Sequence, residues 1–412
     1  MQIRKLLILL LFMLPVMAMA DNAADAKAMK KLQKQKKTDI ENVRTSLKTG
    51  KNLEQSEAVL RRYIADSLFS EEKTLYLLLS EVVRKEYEAL NEKVYLKQQI
   101  DTAKIMNSAR TMFLAYQSLD SIDGKPDDKG NVSLAYRRKN AEFLLPYRNN
   151  LFNGGLYFMR QSRWQEAWQC LDAFLDTRRQ PLFDGQTLDE SNDRQAAFTA
   201  FMAAKEMDDM SKACKYITEA LQYEPQREQT MILMTMMAEK HDEDSLYHAY
   251  LRSGFSEYPA NEFFFPHLID YYVDREQYDE ALRSTEEALQ TDSLNELFLL
   301  SEHTILMTME RYDEALAYGQ RLLSSNDTLA IVNYNVAYIL YLRAHNAMKA
   351  KNRTYKQRLK EAQKWYEQCY PFMERYRALC PDERQRWRPV LYDAYLNLNM
   401  GKEFAEIEAL AE

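Results

Sequence analysis

Glycine and proline are scarce, at nine and ten among 412 residues. So few turn formers cannot supply the many tight reversals of a hairpin-rich sheet, which excludes an all-β sandwich or barrel. Cysteine is scarcer still: Cys170, Cys214, Cys369 and Cys380 share no metal-ligand spacing, which argues against a zinc-stapled or disulfide-dense scaffold. On one helix Cys369 and Cys380 would stand about 16 Å apart, beyond disulfide reach, unless Pro371 or Pro381 reversed the chain. Buried free thiols are the expectation. Positive charge is also in deficit. The formal net charge of −7 is the wrong sign for a general nucleic-acid binder, which must displace counterions from phosphates. Catalytic signatures are missing as well, with no phosphate-cradling glycine loop, GxSxG, HExxH or cysteine with a plausible histidine partner. No cofactor is expected.

Long apolar runs are confined to the start. Arg4 and Lys5 precede an uninterrupted stretch from Leu6 to Leu14, Pro15 breaks it, and Ala18-Met19-Ala20 offers small residues at −3 and −1. Residues 1–20 are expected to be a secretory signal peptide cleaved before Asp21, because the stretch is short for a bilayer span. Without Arg4 and Lys5 the net charge moves from −7 to −9. No transmembrane segment is expected after cleavage, and the mature chain is expected to be exported, periplasmic or envelope-associated, or secreted.

What is abundant is Ala, Leu, Met, Glu, Lys, Gln and Arg, the best helix formers. A lysine-rich polar helix is expected over 21–49, another over 53–66 with Ala58 and Ala65 sharing a face, and two long ones over 71–97 and 100–119. Residues 120–131 carry Gly, Pro and Asp and are expected to form a loop. Longer helices are expected around 331–350 and 355–379, then a closing pair near 384–398 and 402–411.

A period of 34 runs through the middle. Ala213, Ala281 and Ala315 fall on it, Tyr247 fills the slot that lacks alanine, and Pro225 and Pro259 repeat at the same interval. The blocks Tyr278-Asp279-Glu280-Ala281 and Tyr312-Asp313-Glu314-Ala315 are its clearest copies, while Ala167 precedes Ala213 by 46. Twelve residues are therefore inserted, with Pro181–Gln186 the expected loop. Such a period marks helix–turn–helix units that bury their apolar faces only by stacking.

These residues resemble the tetratricopeptide repeat. Gly155, Ala167, Ala213, Ala220, Ala281, Ala288 and Ala315 take its small positions, and Phe158, Trp164, Tyr272, Tyr278 and Tyr312 its aromatic ones. Tyr247 and Gly254, and Thr285 and Gly319, depart from the pattern. The resemblance implies an all-α, right-handed superhelix of antiparallel helix pairs. It is divided here into an N-terminal region of divergent repeats at 21–147, an array at 148–330 and C-terminal repeats with a cap at 331–412. It also implies a partner groove lined by the first helix of each pair: Phe152, Met159, Phe198, Met202, Lys205, Ile232, Met236, Glu239, Phe263, Asp270, Asp274, Thr304 and Met307. Met, Phe and scattered charge suit an apolar or amphipathic protein segment.

Other constellations are weaker. His241 and His248 flank Asp242-Glu243-Asp244, but the cluster falls where the repeat turns, and Asp123, Asp127 and Asp128 lack the register of a calcium loop. No metal is expected. The triad Asp-(Ser/Thr)-small-or-aliphatic occurs six times, at Ser67, Thr102, Ser121, Ser245, Ser293 and Thr328. It resembles the acceptor triad of a bacterial O-glycosylation system for exported proteins, although Asp is also wanted there as a helix cap. Taken together, a non-catalytic protein-interaction scaffold of the bacterial cell envelope is expected. The alternative is a glycan- or nutrient-binding part of an outer-membrane uptake system, supported by 27 Tyr and 4 Trp.

Overall fold

Seven helices of the computed structural model end in one way. A non-glycine residue enters the left-handed region at Lys97, Ser162, Asp208, Asp242, Glu276, Glu310 and Asn399, with φ between 54° and 57°. The next residue's N–H then reaches back five positions. Asp209 bonds to Ala204, Glu243 to Ala238, Gln277 to Tyr272 and Arg311 to Leu306, at 2.9–3.0 Å. This six-to-one closure satisfies carbonyls that a helix end leaves orphaned. Glycine usually occupies that position, and an L-residue there costs about 1–2 kcal/mol. From Asp208 to Glu310 the four closures recur every 34 residues, so the period is built into the backbone as well as the side chains.

The structure describes residues 27–126 and 129–410, and every regular element among them is a helix. The expected signal peptide, together with Asp127 and Asp128, lies outside the described residues. Two compact units are present, dividing between Met237 and Ala238. The first holds α1 (27–49), α2 (Leu53–Ala65), α3 (Lys73–Tyr95), α4 (Thr102–Asp123), α5 (Arg137–Leu144), α6 (Arg148–Arg160), α7 (Trp164–Asp176), α8 (Asp193–Glu206), α9 (Met210–Lys215), α10 (Ile217–Ala220) and most of α11 (Arg227–Lys240). The second holds the last turn of α11, then α12 (Asp244–Glu257), α13 (Phe264–Val273), α14 (Tyr278–Thr291), α15 (Glu296–Thr308) and α16 (Tyr312–Ser325). It closes with α17 (Ala330–Lys349), α18 (Tyr355–Leu379), α19 (Arg384–Asn397) and α20 (Gly401–Ala409). Among the described residues no helix is long and apolar enough to cross a membrane.

Within each unit a helix packs on its neighbour in sequence and on the next but one, as α4 on α6, α6 on α8 and α17 on α19. The small residues make those crossings close. Ala167, Ala213, Ala220, Ala281, Ala288 and Ala315 are wholly buried. A Cβ added to Gly155 would lie 2.4 Å from Leu171 Cγ, and one on Gly254 2.1 Å from Phe264 Cε1. The irregular positions are compensated. Gly319 leaves space that Val336 and His303 fill, and His303 Nδ1 bonds to the Ala315 carbonyl at 2.8 Å. Thr285, standing where an apolar residue is usual, donates to the Leu282 carbonyl and to Glu302.

Three expectations are corrected. Helix α4 continues to Asp123, so residues 120–123 are not loop. Asp120 accepts a bidentate bond from Arg137 at 2.8–2.9 Å, and Asp123, wholly buried, accepts from Lys73 at 2.8 Å. In α2 the buried face is Leu53, Ser56, Leu60 and Tyr63, while Ala58 and Ala65 are exposed. The expected loop at Pro181–Gln186 begins with a 3-10 turn over Pro181–Phe183 whose Leu182 and Phe183 are buried, Phe183 stacking on Phe113 at 6.2 Å.

That insertion is tied down by one guanidinium. Arg148, 3% exposed, donates to Thr177 Oγ1 at 2.8 Å, the Asp189 carbonyl at 2.6 Å, the Phe174 carbonyl at 3.3 Å and Asp193 Oδ1 at 2.9 Å. A fork of fixed geometry serves all four acceptors, which the point charge of lysine cannot do. Arg148→Met should therefore cost about 3 kcal/mol or more in urea unfolding, since it leaves Asp193 and two carbonyls short of a donor in the interior. Limited proteolysis should cut within 177–192 in the variant, and Arg148→Lys should not restore resistance.

Candidate functional site

Alanine at position 247 would pass through a helix crossing as Ala213, Ala281 and Ala315 do. Tyrosine is too large for that, and Tyr247 is only half-buried. Its ring lies 5.9 Å from Tyr271 on α13 and lines a cavity of about 490 Å³ between the end of α11, α12 and α13. Glu239, Asp270 and Asp274 line the same cavity. All three are exposed.

Their placement works against folding. Asp270 and Asp274 are one turn apart, and like charges so spaced cost about 0.2–0.5 kcal/mol. Both stand at the C-terminal end of α13 and Glu239 at that of α11, where the helix dipole is already negative. Asp242, Glu243 and Asp244 add three more carboxylates. The one arginine in the lining, Arg275, is paired with Asp244 and lies 3.7 Å over the Tyr271 ring. Tyr271 donates to Asp244 at 3.0 Å, and His248 stacks on its ring at 4.8 Å. The Tyr247 hydroxyl senses this field: burial first, then Glu239 and Asp270, push it up to about 12. An aromatic wall beside converging carboxylates suits a cation.

The projected groove residues meet different fates. Phe152 is interior, its ring 5.6 Å from Phe174, so it does not line a groove. Met159 packs against the cluster of Phe158, Ala167, Cys170 and Ala203. Phe198 stacks on Tyr223 at 5.5 Å, and Lys205 pairs with Glu206 at 2.9 Å. Met202 and Ile232 are half-buried, and Met236 is 49% exposed. These seven belong to the first unit. In the second, Phe263 lies against Phe264 and His267, Met307 is half-buried, and Thr304 spends its hydroxyl on the Leu300 carbonyl at 2.7 Å. Glu239, Asp270 and Asp274 alone among the thirteen share a cavity, with Tyr247, Tyr271, Asp244 and Arg275 as members the projection missed. The signal for them was the tyrosine in alanine's slot.

Chemistry elsewhere is muted. The four cysteines are free, and Cys170 and Cys369 are buried, as expected, but Cys214 is exposed. Burial pushes the Cys170 and Cys369 thiols up to about 12, which leaves them protonated at neutral pH. His248 Nε2 is engaged by the Tyr272 hydroxyl at 2.9 Å, and Asp242 turns the chain between it and His241.

Antiparallel helix pairs with small residues at their crossings, closed by the same turn every 34 residues, decide the architecture. The fold is that of a tetratricopeptide-like helical repeat. No family model matches this repeat protein, and no curated protein does. Solved structures that align with it include the C-terminal part of a TPR repeat-containing protein from Cytophaga hutchinsonii (11% identity, 62% of this chain and 92% of that one, TM-score 0.36). A tetratricopeptide repeat protein from Parabacteroides merdae aligns at 12% identity over 63% and 96% of the two chains, with TM-score 0.30. The type IV pilus biogenesis factor PilW aligns at 14% over 53% and 91%, with TM-score 0.29. Scores this low carry no argument, and the architecture rests on the repeat's own geometry.

The field at Tyr247 is measurable. In an alkaline absorbance titration of the repeat protein, Glu239→Gln or Asp270→Asn should bring the Tyr247 transition down from about 12 towards the ordinary 10. Because the folded-state value is raised, the stability linked to this group is present below pH 10 and is lost as the pH climbs towards 12.

Proposed function

We propose that this protein is a non-catalytic interaction scaffold of the bacterial cell envelope that docks a basic segment of a partner protein. The supporting observation is the cavity beside Tyr247, where three carboxylates and two helix C-termini converge with no printed cation but Arg275 inside it. A Lys or Arg side chain entering there would lie against Tyr247 and Tyr271 while its charge meets Glu239, Asp270 and Asp274. This sharpens the expected apolar groove into an acidic one. The alternative, a glycan-binding surface, draws less support. Tyr63, Tyr76, Tyr87, Tyr116, Tyr216, Tyr272, Tyr366, Tyr376 and Tyr395 are buried, so much of the tyrosine content is used in packing. The test is a fluorescence titration of the full chain with labelled peptides matched for length but carrying Lys/Arg or Gln at alternate positions. The basic series should bind at least 10-fold more tightly, weaken steeply with salt, and lose that advantage in Glu239→Gln/Asp270→Asn/Asp274→Asn. Equal binding of both series would refute the reading.

Export rests on the sequence of residues 1–20, and modification on where the triads sit. Ser67, Ser293 and Thr328 occupy exposed turns, while Thr102, Ser121 and Ser245 are helical. Asp66 and Asp292 accept the N–H bonds of Leu68 and Leu294 at 3.0 and 3.1 Å, and Asp101 caps α4, so local bonding accounts for those three acids without a glycan. The intact mass of protein from the native host checks both proposals. A chain starting at Asp21 is expected, with any glycan mass assigned to Ser67, Ser293 or Thr328; an unprocessed start refutes export.

A further inference from the structure

A second cavity, of about 510 Å³, opens in the first unit between α2, α3 and α4. Leu53, Ala89 and Leu90 give it an apolar wall, and three carboxylates face it from two helices, Glu54 and Glu57 on α2 and Glu86 on α3. Two of the three have cations. Lys104 of α4 holds Glu54 at 2.5 Å, and Arg61 holds Glu57 at 2.6 Å. Among the described residues no ion pair reaches Glu86, and its Oε1 is buried with no hydrogen-bond partner. The Oδ1 of Asn107, which lines the same cavity from α4, is buried and unpartnered too. Two acceptors without donors in one cavity are unusual, because a buried polar atom left unsatisfied costs about 1–3 kcal/mol. What completes them must donate hydrogen bonds and carry positive charge.

We propose that this cavity binds a small molecule bearing a primary ammonium group on an alkyl chain. The ammonium donates to Glu86 Oε1 and Asn107 Oδ1, and the methylene chain lies on Leu53, Ala89 and Leu90. An NH₃⁺ group has three donors and no acceptor, which matches an acceptor-only end to the cavity. The volume is that of a small-ligand site. Lys93 stands at the rim and Lys104 is occupied by Glu54, so neither fills the position. Binding is coupled to protons. Burial above all, then the neighbouring Glu57 and Glu54 carboxylates against the opposing Lys104, raise Glu86 to about 7. At pH 7 about half of Glu86 is therefore protonated, and an arriving ammonium should expel about half a proton per ligand.

The experiment is isothermal titration calorimetry of the full chain with 1,5-diaminopentane, with 1-pentanol as the neutral counterpart, in phosphate and in a sulfonate buffer of higher ionisation enthalpy. The diamine should bind, the alcohol should not, and the two buffers should report the released proton. Glu86→Gln keeps size and hydrogen bonding; it should weaken the diamine at least 10-fold and abolish proton release. Asn107→Leu should weaken it about 5-fold and leave proton release intact. Glu239→Gln, in the other unit, should change neither, which separates this site from the peptide cleft. Absence of diamine heat at millimolar concentration, equal binding of 1-pentanol, or undiminished binding by folded Glu86→Gln would each overturn the proposal.

Discussion

The structure depends on a hairpin that cannot stand alone. Two helices of about fourteen residues bury only one apolar stripe each, so a unit is stable only when its neighbours cover what remains. That requirement fixes the spacing. The left-handed residue and the backbone bond behind it set the angle at which the second helix returns, and alanine at the crossing sets the depth. Asp208, Asp242, Glu276 and Glu310 hold the first condition, and Ala213, Ala281 and Ala315 hold the second. The chain accepts the strain of polar L-residues in a glycine conformation because each turn is exposed, where a charged side chain keeps the surface soluble.

The irregular positions carry the polar chemistry. Where the period lengthens by twelve residues, Arg148 gathers the extra segment onto the core. Where a large apolar residue is missing at Gly319, a buried, neutral His303 takes up the space, its protonated form disfavoured by that burial. Where alanine is missing at 247, a ring too big for the crossing faces a cleft rimmed with acid. A regular repeat can stack on pattern alone. A break in it needs a specific partner, so breaks are where hydrogen bonds, perturbed titrations and cavities collect.

How legible this was varies with the range of the interaction. Turns and crossings are local or recur at a constant offset, and Ala281 and Ala315 announce them in any copy of the sequence. The long helices α17 and α18 were readable from composition and periodicity in the same way. The end of α4 was not, because Gly, Pro and Asp at 120–131 read as loop while Asp120 and Asp123 are held in the helix by Arg137 and Lys73 from other elements. Phe152 was placed in the groove by its position in the repeat and is interior because Phe174 stacks on it. Of the acidic cleft, Glu239, Asp270 and Asp274 were named, but their meeting beside Tyr247 depends on three helices coming together.

The amino-acid sequence by itself determined that this protein is helical, that its units repeat every 34 residues, and which small side chains lie at the crossings, because each follows from offsets along one chain. Tertiary structure alone decided which side chains face a neighbour and which face a void. Glu86 and Asn107, twenty-one residues apart, carry no shared motif. They line one cavity only because α3 and α4 fold back on each other, and a sequence records the distance along the chain, not the distance across it.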